Sequence, residues 1–251
     1  MATAKRPRWD RTKGSPEPIA ALNRIDEREN GEPLVDIRLY CPRVFIQRPQ
    51  VIPFVRERVA KMLDEASQSL PDGIRFGLIE GWRPLSRQQR IFDFMWRNAK
   101  EAFPEMSYAS LRRVVCRLCA PTDQKAPPGH CTGAAVDVWL VDDSGEPLDT
   151  TSPYAWIDAT PTYVFGLSET AAANRALLVD AMLAAGFSNC RDEWWHYSWG
   201  DAAWAVRTGV SSCPYGNAPL NFEHYIHLED EHAAYMADRP NPFLSNLLAE
   251  E

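Results

Sequence analysis

The chain has 251 residues, of which 45% are hydrophobic and 24% charged, with a net charge of −7. That length and apolar content suit one large globular domain with appendages, and the acidic balance excludes the broad basic field that nucleic acid or an anionic lipid surface would need. No apolar run approaches the roughly 18 residues of a spanning helix, so the expected location is the cytoplasm, with neither membrane nor nucleic acid as partner.

Met1 to Pro18 is basic and contains prolines but no apolar signal core, so residues 1–25 are expected to form a mobile arm. Val55, Val59, Met62, Leu63, Ala66 and Leu70 make a helical stripe that Pro71 stops. Ile74, Phe76 and Leu78 then alternate as a strand does, and this strand exits at Glu80-Gly81-Trp82-Arg83-Pro84. Ser86 and Gln89 have capping-box spacing and predict a helix running to about Lys100.

A further helix is predicted from Ser107 to Cys119. Its Cys116 and Cys119 form a C-x-x-C, but with no second pair and no Gly or Pro knuckle they read as core thiols rather than a structural zinc site. The six cysteines are expected as thiols, as in a reducing compartment. A turn-rich loop from Pro121 to Pro128 leads to His130. Ala134 to Val141 reads as a strand, and Asp142 to Gly145 as a turn.

After an irregular stretch, Ser168 caps a helix through Ala185 that Gly186 ends. Glu193 to Trp199 is aromatic and strand-like, and a short helix is predicted between Gly200 and Gly209. Residues 211–251 are expected as a C-terminal extension on or near a catalytic domain of residues 26–210. His224, His227 and His232 in that extension have a metal-like spacing, but a solvated acidic tail is the preferred reading. Helices and short strands without a βαβ rhythm predict an α+β fold, a central antiparallel or mixed sheet flanked by helices.

Asp137 stands in an otherwise apolar strand, where an unpaired carboxylate costs several kcal/mol. His130 is close in sequence across the Thr132-Gly133 turn, and a loop histidine with a strand aspartate is half of a zinc site. His196 supplies the other half. On a strand it shares a face with Trp194 and Ser198, so Glu193, at odd spacing from His196, has to sit on a turn or bulge to face the same site. Two histidines and one carboxylate leave a fourth position of zinc for water, whose proton a nearby carboxylate can take. Arg83, at a strand end, could stabilise an oxyanion. Taken singly, each element also has a structural reading as a satisfied loop histidine, an arginine-paired aspartate, an aromatic core strand or a tight turn.

Together, His130-Cys131-Thr132-Gly133-Ala134-Ala135-Val136-Asp137 matches H-x-x-G-x-A-x-D, Glu193-Trp194-Trp195-His196 matches E-x-x-H, and Gly81-Trp82-Arg83-Pro84 is similar to a Y-R-P segment. In order and separation these motifs resemble the D-alanyl-D-alanine dipeptidases of the VanX type, in the M15 zinc peptidase family, over about residues 30 to 205. The resemblance implies the M15, hedgehog-like fold, one zinc ion on His130, Asp137 and His196, Glu193 as general base and then acid, and Arg83 as transition-state stabiliser. It implies a small peptide or amide substrate, with Tyr154, Asp158 and Trp194 expected against it, and leaves room for a homo-oligomer.

The family pattern departs at two positions. Pro128 stands where the family has the serine of S-x-H, and Ala155 where it has an aspartate for the substrate ammonium, with Asp158 as the expected substitute. Two other readings follow: recruitment to a different dipeptide-like metabolite, and a zinc-stabilised binding module without turnover.

Overall fold

The computed structural model describes residues 7–244. Helix α1 (Ile19–Leu22) and strand β1 (Asp26–Glu27) lead into β2 (Leu34–Asp36), α2 (Ile37–Tyr40), β3 (Phe45–Ile46) and β4 (Phe54–Arg56). Then come α3 (Glu57–Gln68), β5 (Ile74–Glu80), α4 (Leu85–Ala102) and α5 (Tyr108–Val115). A single turn, α6 (Gly129–Thr132), precedes β6 (Ala135–Asp142), α7 (Glu169–Ala184), β7 (Ser188–Asn189) and β8 (His196–Ser198). Helix α8 (Ala202–Thr208), β9 (Ser212–Cys213) and α9 (Ile226–Ala237) follow.

The central sheet has the order β3-β5-β6-β8-β7. Its β3–β5 pair is parallel and the rest antiparallel, which makes the fold α+β with a mixed sheet between helices. Phe76 and Leu78 of β5, Val136, Val138 and Leu140 of β6, and Tyr197 of β8 share one face by register. All are buried in one cluster with Val59 and Leu63 of α3 and Leu178 and Met182 of α7. Each such apolar side chain contributes about 1.5–3 kcal/mol by leaving water. On the other face Gly77 stands opposite Trp139, and a Cβ at 77 would come within 2.6 Å of the indole Nε1.

Several boundaries differ from the sequence expectation. Val55 lies on β4, ahead of the helix its stripe suggested. The capping box at Ser86 and Gln89 does not form, because α4 already starts at Leu85 behind Pro84, and Gln89 instead donates to Asp93 at 2.8 Å. Helix α5 ends at Val115, so the C-x-x-C lies in the turn beyond it. His130 sits on a helical turn rather than in an open loop, and that turn ends at Gly133 with φ +73°. The stretch read as a mobile arm is bonded to the body over part of residues 7–25: the amide of Asp10 donates to Tyr163 at 2.8 Å, that of Phe165 to Arg8 at 2.8 Å, and Arg207 pairs with Glu17 at 3.4 Å. The C-terminal stretch is no solvated tail either. Helix α9 buries Leu228 and His232.

Two buried arginines tie the loops to this frame. Arg56 Nε donates to the carbonyl of Thr132 at 2.7 Å, its amide donates to Gly133 at 2.9 Å, and its guanidinium pairs with Glu29 at 2.7 Å, which clamps the end of α6. Arg175 of α7 donates to the carbonyls of Thr150 at 2.6 Å, Pro161 at 2.8 Å and Ala159 at 3.1 Å, and lies 5.1 Å from the Trp194 ring centre. Burial lowers Arg175 to about 10, which leaves it charged at neutral pH. Arg175→Met removes these donors and strands buried carbonyls, so it should cost about 3 kcal/mol or more of unfolding free energy, measured by urea denaturation.

Candidate active site

The antiparallel register sets Glu80 of β5, Asp137 of β6 and His196 of β8 in one row across the sheet. A bulge between Leu78 and Glu80 makes this row. Strict alternation would have paired Ile79 with Asp137 and turned Glu80 towards the core. The extra residue re-aims the strand end, as bulges do.

His130 enters from α6. Its Nδ1 donates to the Gly81 carbonyl at 2.9 Å, and its own carbonyl accepts from the Arg83 amide at 3.3 Å. With the proton on Nδ1, the neutral ring presents a bare lone pair at Nε2. That Nε2 lies 3.2 Å from Asp137 Oδ1 and 3.2 Å from His196 Nδ1, and the latter two atoms are 2.8 Å apart. Ligands about 2.0–2.1 Å from a tetrahedral zinc stand about 3.3 Å from one another, so the donor set and its spacing fit such an ion. Among the described residues this is the one group of three or more histidine, cysteine, aspartate or glutamate side chains so arranged.

Electrostatics favour the ligand forms. Burial lowers His130, and Arg83 lowers it further, which keeps the imidazole neutral. Burial pushes Asp137 up, but its contacts within the site, the 2.8 Å bond with His196 Nδ1 among them, outweigh it and hold the carboxylate well below its usual range. The C-x-x-C shows the opposite pattern. Burial pushes Cys119 up to about 12, so it is a thiol rather than a thiolate ligand, and all six cysteines are unpaired.

Glu193 occupies a turn, not a strand. Its amide donates to the Cys190 carbonyl at 3.2 Å, and its carbonyl accepts from the His196 amide at 3.2 Å, closing the turn that opens β8. Burial raises its carboxyl well above the ordinary range, with Asp137 and Glu17 adding to the rise. Arg83 is buried, its Nε donates no hydrogen bond, and Glu80 is the carboxylate beside it, at 3.9 Å. Burial works against its charge, but Glu80 and Asp137 more than restore it.

These groups share a cavity of about 230 Å³ whose wall includes Arg83, His130, Asp137, Glu193 and His196. A model of the Peptidase_M15 family, described as D-ala-D-ala dipeptidase, matches residues 49–214. The chain belongs to this family. A D-alanyl-D-alanine dipeptidase of Synechocystis sp. (strain ATCC 27184 / PCC 6803 / Kazusa) is 28% identical over 222 residues, covering 75% of this chain and 90% of the relative. A solved structure of a mutant vancomycin-resistance D,D-pentapeptidase, VanY, in complex with Zn(II), aligns with a TM-score of 0.39 at 17% identity, over 62% of this chain and 80% of that one.

The residues expected against substrate lie elsewhere in this M15 peptidase. Tyr154 donates its hydroxyl to the Phe165 carbonyl at 3.0 Å and does not line the cavity. Asp158 lines a separate surface pocket with Arg8, Arg11 and Arg117. Trp194 is buried edge-on to Trp195 behind the wall, because the turn at 193–195 breaks the alternation that would have aimed it inward. Trp195 does line the cavity, stacked on Trp156 with centroids 4.2 Å apart. Pro128 lines it too, with Asp201, whose Oδ2 is buried and unpartnered. Sequence reasoning missed Glu80, Trp156 and Trp195. The pairing of two tryptophans beside the motif was the available signal for Trp195, and nothing local announced the other two.

No helix of the described residues is long and apolar enough to cross a membrane. Added zinc should raise the melting temperature of metal-stripped protein, since binding to the folded state stabilises it by about 2.7 kcal/mol at a hundredfold excess over Kd. His130→Ala and His196→Ala should each abolish that shift, read by calorimetry beside metal analysis of the dialysed proteins.

Proposed function

We propose that this chain is a zinc-dependent peptidase that hydrolyses a dipeptide or a dipeptide-like amide. His130, Asp137 and His196 would hold one zinc ion, Glu193 would move the proton, and Arg83 would meet the developing charge. One observation carries the reading: three converging ligand atoms, a carboxyl with raised proton affinity and a buried guanidinium with an unbonded Nε line the same small cavity.

Zinc, when bound there, supplies a Lewis acid and brings the pKa of water towards neutrality. Glu193 takes the proton of the attacking water. Its raised affinity suits it to retain that proton and hand it to the leaving amine. Arg83 meets the oxyanion with a charge that is already desolvated beside the Glu80 carboxylate, on a backbone fixed by the bond from its amide to the His130 carbonyl, so little reorganisation is needed. Trp156 and Trp195 give the cavity an apolar wall that keeps bulk water from the reacting carbonyl.

The donor set has three protein ligands and no fourth among the described histidine, cysteine, aspartate and glutamate side chains. That favours turnover over a purely structural zinc, which closes its fourth position with protein. The unpaired thiols fit a reducing compartment, and we assign the enzyme to the cytoplasm on that ground. Pro128 in the wall, and Tyr154 and Asp158 away from it, favour a dipeptide-like substrate other than D-alanyl-D-alanine as the second reading. A direct assay of D-alanyl-D-alanine against a dipeptide panel separates the two, and efficient turnover of the former removes the second reading.

Glu193→Gln should keep bound zinc and lower kcat by about 10²–10⁴-fold. Arg83→Ala should lower it by about 10²–10³-fold. Amide hydrolysis followed by amine release checks both, and undiminished turnover in Glu193→Gln would sink the assignment.

A further inference from the structure

Helix α9 and the segment after it lie beyond residues 49–214 of the family match, yet they build one wall of the cavity through His232, Tyr235, Met236, Arg239 and Pro242. The wall is firmly anchored. Glu229 of α9 pairs with Arg87 at 2.8 Å and also with Arg90, while Arg87 donates to the carbonyls of Gln50 at 2.7 Å and Leu228 at 3.3 Å. Farther on, Asn241 donates to the Asn98 carbonyl at 3.0 Å, and Phe243 packs on Phe103 with centroids 5.8 Å apart.

This wall faces the cavity with cations that lack anionic partners. The Arg48 and Arg239 guanidiniums lie 5.5 Å and 5.6 Å from the centre of the Tyr235 ring. Arg48 is also 5.8 Å from the ring of Trp139, and Arg239 the same distance from that of Phe94. Neither makes an ion pair with a described carboxylate, although both line the cavity. Burial lowers Arg239; Tyr235 opposes this, and Arg48 beside it adds to the lowering, so the two guanidiniums repel across the tyrosine. His232, 3% exposed in the same wall, has an Nδ1 with no hydrogen-bond partner among the described residues. Burial, with Arg87 and Arg90, lowers it to about 3, so it is a neutral ring able to donate or accept.

Arg48 and Arg239 line the same cavity as His130, Asp137 and His196, so one small ligand there meets both groups of residues.

We propose that Arg48 and Arg239, held against Tyr235 by the C-terminal segment, form the subsite that binds the carboxylate of the substrate, with His232 Nδ1 as a further polar contact. The proposal rests on the peptidase reading above. It gives this chain a carboxylate clamp made of residues outside the family match, in a cavity where Pro128 offers neither a hydroxyl nor an amide. A planar guanidinium recognises a carboxylate through two parallel bonds, and two of them flank one anion well.

Binding measured without turnover tests this. Full-length, zinc-loaded Glu193→Gln protein is titrated by calorimetry with D-alanyl-D-alanine, with its C-terminal amide, and with that amide carrying a side-chain carboxylate on its second residue. The free acid should bind about tenfold or more tighter than the amide, and adding Arg239→Gln or Arg48→Gln should erase the difference while leaving amide affinity unchanged. Recovery of tight, arginine-dependent binding by the third probe would assign the clamp to a side-chain carboxylate rather than a terminal one. Equal affinity for acid and amide, no binding of either, or a preference that survives both substitutions would overturn the proposal. Arginine-dependent binding of D-alanyl-D-alanine by an enzyme that cleaves neither it nor any member of the dipeptide panel would instead remove the peptidase reading and leave the clamp standing.

Discussion

Two carboxylates, Glu80 and Asp137, stand opposite each other on antiparallel neighbours in the middle of a mixed sheet, an arrangement that is destabilising on its own. The surroundings of the site compensate for it. Arg83 sits beside Glu80, and two imidazoles converge on Asp137. A divalent cation at the meeting point of His130, Asp137 and His196 would balance the row more completely than these neighbours do. Burial raises Glu193 and the charge on Asp137 adds to the rise, so the carboxylate that attracts a metal also helps make a carboxyl suited to carrying protons.

Rigidity in this region comes from buried arginines more than from regular structure. The two strands carrying Asp137 and His196 belong to the sheet, but His130 and Glu193 ride on single turns. Those turns hold their shape because Arg56 takes the carbonyl at the end of one, while Arg175 pins the neighbouring loop whose Thr160 carbonyl accepts from the Trp194 amide at 3.0 Å. Guanidinium groups suit this work, since each can satisfy several carbonyls at once where no ladder is available.

Much of the site was legible in the sequence, for physical reasons. A carboxylate in an apolar strand is costly enough to demand a partner, and the spacing from Glu193 to His196 already required a turn. The helices of the sheet's core face followed from periodicity, as with Val59, Met62, Leu63 and Ala66. What escaped were consequences of long-range pairing. Glu80 joins the row because of a bulge, which no local pattern in Ile74 to Glu80 reveals. His232 is buried because Glu229 meets Arg87 more than a hundred residues away, so α9 read as a solvated tail. The loop with Tyr154 and Asp158 was expected at the substrate by likeness of position, and its backbone takes those side chains elsewhere.

The bulge at Ile79 divides one strand into two halves that answer to different demands. Before it, Phe76 and Leu78 are selected for volume, because they fill the core against α3 and α7. After it, Glu80 and the exit towards Arg83 are selected for charge and direction. The phase change uncouples the two, so repacking the core side of β5 leaves the aim of the acidic row untouched. Regular pairing of the same residues, without the bulge, would send a carboxylate into the core and an aliphatic side chain into the site. In this chain the bulge, more than the identity of any residue within the strand, keeps packing and chemistry on their own sides of the sheet.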